Sequence, residues 1–313
     1  MAEVTVVIPT RNRPTALKDC LLSVLSSAGN RPVEVLVMDQ STDEQSRHVV
    51  EAIGDARIAY HRMPRPGACP ARNFGAALAS APIVAFLDDD CCPAPNWIDL
   101  IVERFAAEPD LCFVFGQLRA PSNDRTDGFY PEYLPSDEWL RERTPRQIAM
   151  VAAGANMLAR REFLLEIGGF DELLGPNVPT VKSNDSSISY KVLRSGRRWK
   201  ALSDIEVIHV HGFRPHQGLA KLYREYDHGL GVNWARFTRR GDLLALWYFL
   251  LEHGDMTRAI VGQVLRLERP RGVKNWFAHL KGFWDGIRLK GEVGYVDGVA
   301  LQRMRSTKRL DPV

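Results

Sequence analysis

Cysteine, long apolar runs and glycine-rich phosphate motifs are all scarce in this sequence of 313 residues. Its five cysteines include one adjacent pair, Cys91 and Cys92, and show no C-x-x-C spacing. A disulfide framework or zinc ribbon is therefore not expected, and a reducing, cytoplasmic setting is. The longest apolar run, LLALWYFLL from Leu243 to Leu251, covers nine residues, about half of the ~20 that a membrane-spanning helix needs. No basic and then apolar leader precedes the first strand-like run, VTVVIP, so no export signal is expected. Neither G-x-x-x-x-G-K-[ST] nor G-x-G-x-x-G occurs, which removes the P-loop and dinucleotide fingerprints. The absence of a reader motif or concentrated basic stripe argues against nucleic acid as a partner.

What is present is a soluble globular composition, 45% hydrophobic and 25% charged. The net charge of +3 conceals an asymmetry: from Gly212 onward 18 Lys plus Arg face 10 Asp plus Glu, so this tail carries +8 and residues 1–211 carry −5. The first 120 residues alternate β-branched runs with helical patterns: VTVVIP, a helix over Pro14 to Ser27, VEVLVMD, IAYHR, a helix near Ala71 to Ser80, and IVAFLDD. Their order predicts an α/β fold with a mainly parallel central sheet, and their continuous apolar character predicts strands buried on both faces. Residues 121–147 read as a long functional connection. The helix REFLLEI stops at Gly168 and Gly169, and a polar loop from Leu174 to Ser183 leads into the helix DSSISYKVLRSG. Beyond Gly212 the pattern is helical, basic and rich in Trp.

Ligands of open α/β sheets bind at the carboxyl ends of the strands. There the sequence places PTRNR, MDQST and the triplet Asp88, Asp89 and Asp90, three polar clusters on one edge. Without a phosphate loop, a hard cation such as Mg²⁺ or Mn²⁺ held by carboxylates can neutralise a diphosphate. Strand alternation puts Asp88 and Asp90 on one side and Asp89 on the other, which suggests a division between metal and sugar hydroxyls. The same alternation puts His209 and His211 of VIHVHG on one face, where one imidazole can complete a metal shell or touch the diphosphate.

These segments resemble the family 2 glycosyltransferases, inverting enzymes of the GT-A fold, a Rossmann-like sheet that binds nucleotide-diphosphate sugars. The resemblance runs from Val4 to about Gly212 through VTVVIPTRNR, VEVLVMDQST, GACPARNFGAALASAPIVAFLDDD, GANMLARREFLLEIGGFDE, SNDSSISYKVLRSG and VIHVHG. It implies a catalytic domain over 1–211, with a nucleotide-binding half (1–120) and an acceptor-side half (121–211), followed by a basic, mainly helical region, 212–313. It further implies that Pro9, Thr10 and Arg11 line the nucleotide pocket and that Asp39 accepts a hydrogen bond from the base, as from uracil. Arg72 would contact the nucleotide or diphosphate. Asp88 and Asp90 would form the D-x-D pair, Asp90 being the direct ligand of Mn²⁺ or Mg²⁺, with Asp89 nearer the donor sugar. Asp185 would be the general base, and His209 is preferred over His211 at the metal.

The chemistry is consistent with these assignments. Inversion requires an acceptor hydroxyl to attack opposite the departing diphosphate while a base removes its proton and a cation stabilises the leaving charge. The implied reaction moves a sugar, with a UDP-sugar as the expected donor, to a saccharide or lipid-linked hydroxyl in cell-envelope polysaccharide or glycolipid synthesis. The sequence departs from the family pattern at Asn184, Ser187, Lys191 and Gln40, which bears on acceptor recognition more than on reaction class. Two other functions stay open: a sugar nucleotidyltransferase, although VVIPTRNRP lacks its glycine-rich basic loop, and a non-catalytic nucleotide-sugar binding module. The basic tail suits either an amphipathic surface for anionic lipid at the inner face of the membrane or a helical layer that closes the acceptor site or packs on another subunit. LLALWYFLL is expected to be core more than membrane contact.

Overall fold

In a computed structural model of the protein, the described residues are 1–64, 66–122, 126–136, 144, 147, 154–175 and 183–291. Part of the expected connection over 121–147, part of the loop from Leu174 to Ser183, and the tail 292–313 lie outside them. An eight-stranded sheet runs in the order β3-β2-β1-β4-β8-β6-β9-β5. Its strands are β1 (Val4–Thr10), β2 (Val33–Asp39), β3 (Ile58–Arg62), β4 (Ile83–Leu87), β5 (Cys92–Pro93), β6 (Leu111–Arg119), β8 (Asn156–Arg160) and β9 (Arg198–Ile208). A two-residue strand β7 (Gly128–Phe129) pairs separately with β10 (Arg214–Pro215). β3, β2, β1 and β4 are mutually parallel, β8 is antiparallel to both β4 and β6, and β9 is parallel to β6.

The expected strands form because every residue of β1 and β4 is buried, and continuous Val, Ile, Ala and Phe can pack against helices on both faces. Helix α1 (Pro14–Ala28) buries Leu17, Cys20, Leu21 and Val24, spaced to share one face. Helix α3 (Ala68–Leu78) approaches β1 closely at Gly75, where a Cβ would stand 2.4 Å from Val7 Cγ1. Between these helices in the chain lies α2 (Gln45–Ile53), and α4 (Trp97–Ala107) follows the carboxylate triplet.

One buried polar residue holds the middle of the sheet. Asn156 Nδ2 donates to the carbonyls of Gln117 (3.0 Å) and Ile205 (2.9 Å), while its Oδ1 accepts from Trp97 Nε1 at 3.2 Å. The β6–β9 register shifts at Gly116/Gln117, beside this amide, and a Cβ on Gly116 would stand 2.2 Å from Asn156 Nδ2. Glycine thus leaves room for the amide at the irregularity.

Helix α5 (Arg161–Glu166) ends as its glycines suggest: Gly168 and Gly169 have φ of 75° and 56°. Helix α6 (Asn184–Arg194) carries the candidate base, and α7 (Leu219–Thr238), α8 (Leu243–Leu265) and α9 (Val273–Arg288) form the helical region. α7 and α9 pack backbone to backbone. A Cβ on Gly231 would meet the His279 carbonyl at 2.1 Å, and one on Gly282 the His228 carbonyl at 2.0 Å. A second, small core of Tyr190, Trp234, Ala245 and Phe249 joins α6 to α7 and α8. The join also contains an ion pair with almost no solvent access, in which Arg236 Nε and Nη2 donate to Asp171 at 2.5 and 3.0 Å. LLALWYFLL divides its faces: Ala245 and Phe249 are core, whereas Leu243, Trp247 and Leu250 are exposed.

Candidate active site

The carboxyl ends of β1, β2 and β4 meet as expected, and hydrogen bonds between their loops hold them together. Asn12, in the left-handed region at φ 54°, accepts from the Thr42 N–H at 2.9 Å, while its own N–H donates to Ser41 Oγ at 2.8 Å. Asn tolerates that backbone better than other residues with a Cβ. Pro9 and Thr10 are buried at the end of β1, and Arg11 lies half-buried just beyond it.

Asp39 is fully buried and engaged on both oxygens. Oδ1 accepts from Ser41 N (2.9 Å) and Oγ (2.5 Å), and Oδ2 accepts from Tyr60 Oη (2.7 Å) and Arg62 Nη1 (3.2 Å). A carboxylate offers about four lone-pair sites, and all are taken. In this geometry Asp39 organises the loop, and Tyr60 and Arg62 form the polar surface beyond it. Tyr60 and Arg62 lie on β3, one strand outside the three whose polar ends converge. Period-two spacing of polar residues on β3 is the signal that would have found them.

The triplet divides differently from the expected pattern. β4 ends at Leu87 and Asp88–Asp90 form a turn, so strand alternation does not govern their side chains. Arg13 bridges Asp89 Oδ1 (3.1 Å) and Asp90 Oδ2 (2.9 Å), and Thr10 Oγ1 donates to Asp89 Oδ2 at 2.7 Å. Asp88 turns instead to Arg72 Nη2 at 2.7 Å. Sequence reasoning singled out Arg11 and missed Arg13, which stands at the N-terminus of α1. Burial is the main influence on Asp89 and raises its pKa to about 6, against the pull of Arg13 and Thr10.

His209 and His211 also part company. β9 ends at Ile208, and the Val210 N–H turns back to the Ile208 carbonyl at 3.0 Å, so the two rings do not share a strand face. His211 Nε2 pairs with Asp19 of α1 at 2.9 Å, away from the triplet. His209 Nδ1 faces the Pro131 carbonyl at 3.2 Å, which leaves Nε2 facing Asp90 Oδ1 at 3.5 Å. Gly212 makes room for that ring, since a Cβ there would lie 2.0 Å from it. Burial opposes charge on both partners, but their mutual hydrogen bond and attraction win: the Asp90 pKa is lowered and that of His209 raised.

Among the described residues, ligand atoms of Asp90, Cys91 and His209 lie within 4.8 Å of one another. Burial drives the Cys91 thiol well above its ordinary pKa, and as a soft donor it suits a hard cation less than the oxygen and nitrogen beside it. Nδ1–H held by a backbone carbonyl fixes the tautomer that presents Nε2 as a ligand. Asp90 and His209 therefore suit a hard or borderline divalent cation. Asp88 stands apart from this group, on Arg72.

Arg72 connects the two halves of the site. It is almost wholly buried; Nη2 also donates to the Gly154 carbonyl at 3.1 Å, and Nη1 lies 3.8 Å from Asp185 Oδ1. Its guanidinium stands 5.4 Å from the Phe170 ring, and Nε and Nη1 make no hydrogen bond to the described residues. Asp185 is not the cap of α6, a position held by Ser183. Its carboxylate rests against Gly154, where a Cβ would intrude to 2.0 Å, and accepts from that residue's N–H. Although 38% of its side-chain surface is open, the protein around it raises its pKa to about 6, moderated by Arg72. Lys191 sits deeper in α6 and donates to the carbonyls of Gly168 (3.3 Å) and Gly169 (2.6 Å), closing the end of α5.

The site thus gathers carboxylates and guanidinium groups at the strand ends of a mostly parallel sheet, where ligands of open α/β sheets bind. The family model described as "Glycosyl transferase family 2" matches residues 5–168, and the chain belongs to that family. A pre-mycofactocin glycosyltransferase of Mycobacterium tuberculosis is 26% identical over 67% of the chain and 43% of its own length. A glucosyl-dolichyl phosphate glucuronosyltransferase of Haloferax volcanii is 26% identical over 55% of the chain and 57% of its own length. The chain thus spans about half the length of these curated relatives. A solved structure, "Mannosyltransferase PcManGT from Pyrobaculum calidifontis in complex with GDP-Man and Mn2+", aligns over 99% of the chain and 81% of its own with TM-score 0.57 at 19% identity. That likeness gives the chain the GT-A fold.

Proposed function

We propose that the protein is a divalent-metal-dependent, inverting glycosyltransferase that moves a sugar from a nucleotide diphosphate to a hydroxyl acceptor. The observation that carries this reading is the Arg72 bridge, 2.7 Å to Asp88 and 3.8 Å to Asp185, which sets a lone carboxylate one guanidinium away from the acidic triplet. Family membership supports the reaction class, and a neighbour of the same fold solved in complex with GDP-Man and Mn²⁺ supports the donor class and the cation.

Asp90 and His209 would hold the cation, Mn²⁺ or Mg²⁺, which when bound supplies charge stabilisation for the leaving diphosphate. Arg13 and Arg72 add fixed positive charge on either side of the triplet. Asp89, fastened by Thr10, is placed to meet sugar hydroxyls. Asp185 takes the proton from the acceptor hydroxyl at Oδ1 or Oδ2; a pKa near 6 makes it a stronger base than an ordinary carboxylate while leaving it ionised at neutral pH. Ser187 and Asn184 stand where the family is acidic, and single-displacement inversion is what the family resemblance implies.

The family resemblance favours a UDP-sugar donor. The acceptor class is a saccharide or lipid-linked saccharide, in keeping with a relative named for action on glucosyl-dolichyl phosphate. Titration with UDP-, GDP- and dTDP-sugars, with and without Mn²⁺, tests the donor and the cation together. Metal-dependent binding followed by slow donor hydrolysis is expected. Binding without turnover under any acceptor would instead mark a nucleotide-sugar binding module.

A further inference from the structure

The helical region exposes apolar residues on a regular spacing. On α8 these are Leu243, Trp247, Leu250, Val261 and Leu265, and on α9 Phe277 and Trp284, each with about half or more of its surface open. Contacts between the helices fix where these stripes face. Phe249 stacks on Phe283 with ring centroids 4.0 Å apart, His253 lies 4.4 Å from Trp276, and Trp276 Nε1 donates to Thr257 Oγ1 at 2.8 Å. Both helices also turn a face to α7, through Trp234 to Glu252 Oε2 (2.7 Å) on α8 and through Gly282 and Gly286 on α9. At 100° per residue, the exposed stripe on each helix falls on the side of the α8–α9 seam opposite α7. The two stripes form one outward surface.

Cations border this surface. From Leu243 to Gly291 the sequence has eight Lys plus Arg and four Asp plus Glu. Of those acids Glu252 is buried, and Asp255, Glu268 and Asp285 are paired with Arg258, Arg266 and Lys281. Arg288 lies over the Trp284 ring at 5.8 Å, and with Lys281 and Phe277 it lines a shallow depression of about 430 Å³. No helix among the described residues is long and apolar enough to cross a membrane. Trp, Phe and Leu flanked by Arg and Lys on in-plane helices match the chemistry of a headgroup interface. A second copy of the chain would bring the same excess of positive charge against itself.

We infer that the outward face of α8 and α9 docks on an anionic lipid surface, with Trp247, Phe277 and Trp284 seated among the headgroups and Arg258, Lys281 and Arg288 around them. The inference is independent of the catalytic reading. It is tested by co-sedimentation of the full chain with phosphatidylcholine vesicles, with and without phosphatidylglycerol. Binding is expected on the anionic vesicles alone and weakens with salt. Brominated lipid should quench the Trp emission of the wild-type chain, with most of that quenching lost in W247S/W284S. The same double variant should lose sedimentation while keeping its thermal midpoint, and R258Q/R288Q should weaken partitioning by roughly fivefold per charge. Binding unchanged in both variants, or no anionic preference, overturns the inference. So does a stable dimer that W247S/W284S dissociates in the absence of lipid.

Discussion

The strand-end edge and the outer helices invest charge in opposite ways. At the edge, Asp39, Asp89, Asp90, Arg72 and His209 are buried and partnered, so each polar group is positioned by another. On the outward face of α8 and α9 the charged groups include exposed pairs such as Arg258–Asp255 and Lys281–Asp285, set beside exposed apolar residues. Preorganised charge suits a reaction, where reorientation during the chemical step costs rate. An apolar face rimmed with exposed cations suits a partner that has no fixed shape.

The largest effects should come from the edge. Asp185→Asn is expected to lower turnover by about 10²–10⁴-fold, the worth of a positioned base, with fold retained by circular dichroism. Turnover should also follow an acid limb near pH 6, because burial raises the Asp185 pKa to about 6 and only its ionised form accepts the proton. Below that limb the rate falls roughly tenfold per pH unit. Arg72→Gln removes the cation that lowers this pKa and should move the limb to higher pH; a limb that stays put would detach Arg72 from Asp185.

Between the two regions, the Asp171–Arg236 pair is a stability element. Arg236→Met strands a buried carboxylate and should cost about 3–5 kcal/mol in urea unfolding. Substituting both partners with apolar residues should recover much of that loss. A single variant within error of wild type would mean the helical layer is held by its aromatic core alone.

Smaller effects separate the histidines. His209→Ala should weaken Mn²⁺ binding by at least the roughly 10–100-fold that lost support of a metal site costs, measured by calorimetry with the nucleotide diphosphate present. His211→Ala, which loses only an exposed pair with Asp19 worth about 0–1 kcal/mol, should leave Mn²⁺ affinity unaltered. Equal losses would restore the paired-histidine arrangement.

β1, β2 and β4 were legible because burial writes itself as unbroken Val, Ile, Leu and Ala; β3, expected to be buried as well, is the half-exposed edge of the sheet, and β6 and β8 were not among the expected strands. The convergence of three polar clusters followed from topology alone. What escaped were features set by chain termination. β4 stops at Leu87 and β9 at Ile208, and beyond a strand end period two says nothing, so the pairing of Asp89 with Asp90 and the departure of His211 had no sequence signature. Arg13 and Arg62 reach the site through long side chains from a helix start and a neighbouring strand, distances that composition does not encode. The division of LLALWYFLL into core and surface follows from helical periodicity, but which face would find a partner depended on α7 and α9.

If Asp185 acts on the acceptor while the triplet holds the donor, substitution at Asp185 separates binding from turnover. Donor affinity and turnover should therefore be measured together in Asp185→Asn, using the nucleotide sugar that binds most tightly in the presence of Mn²⁺. Donor affinity close to wild type with turnover lowered by about 10²–10⁴-fold is expected. Turnover near the wild-type rate, or loss of donor binding in a folded protein, would contradict that division of roles.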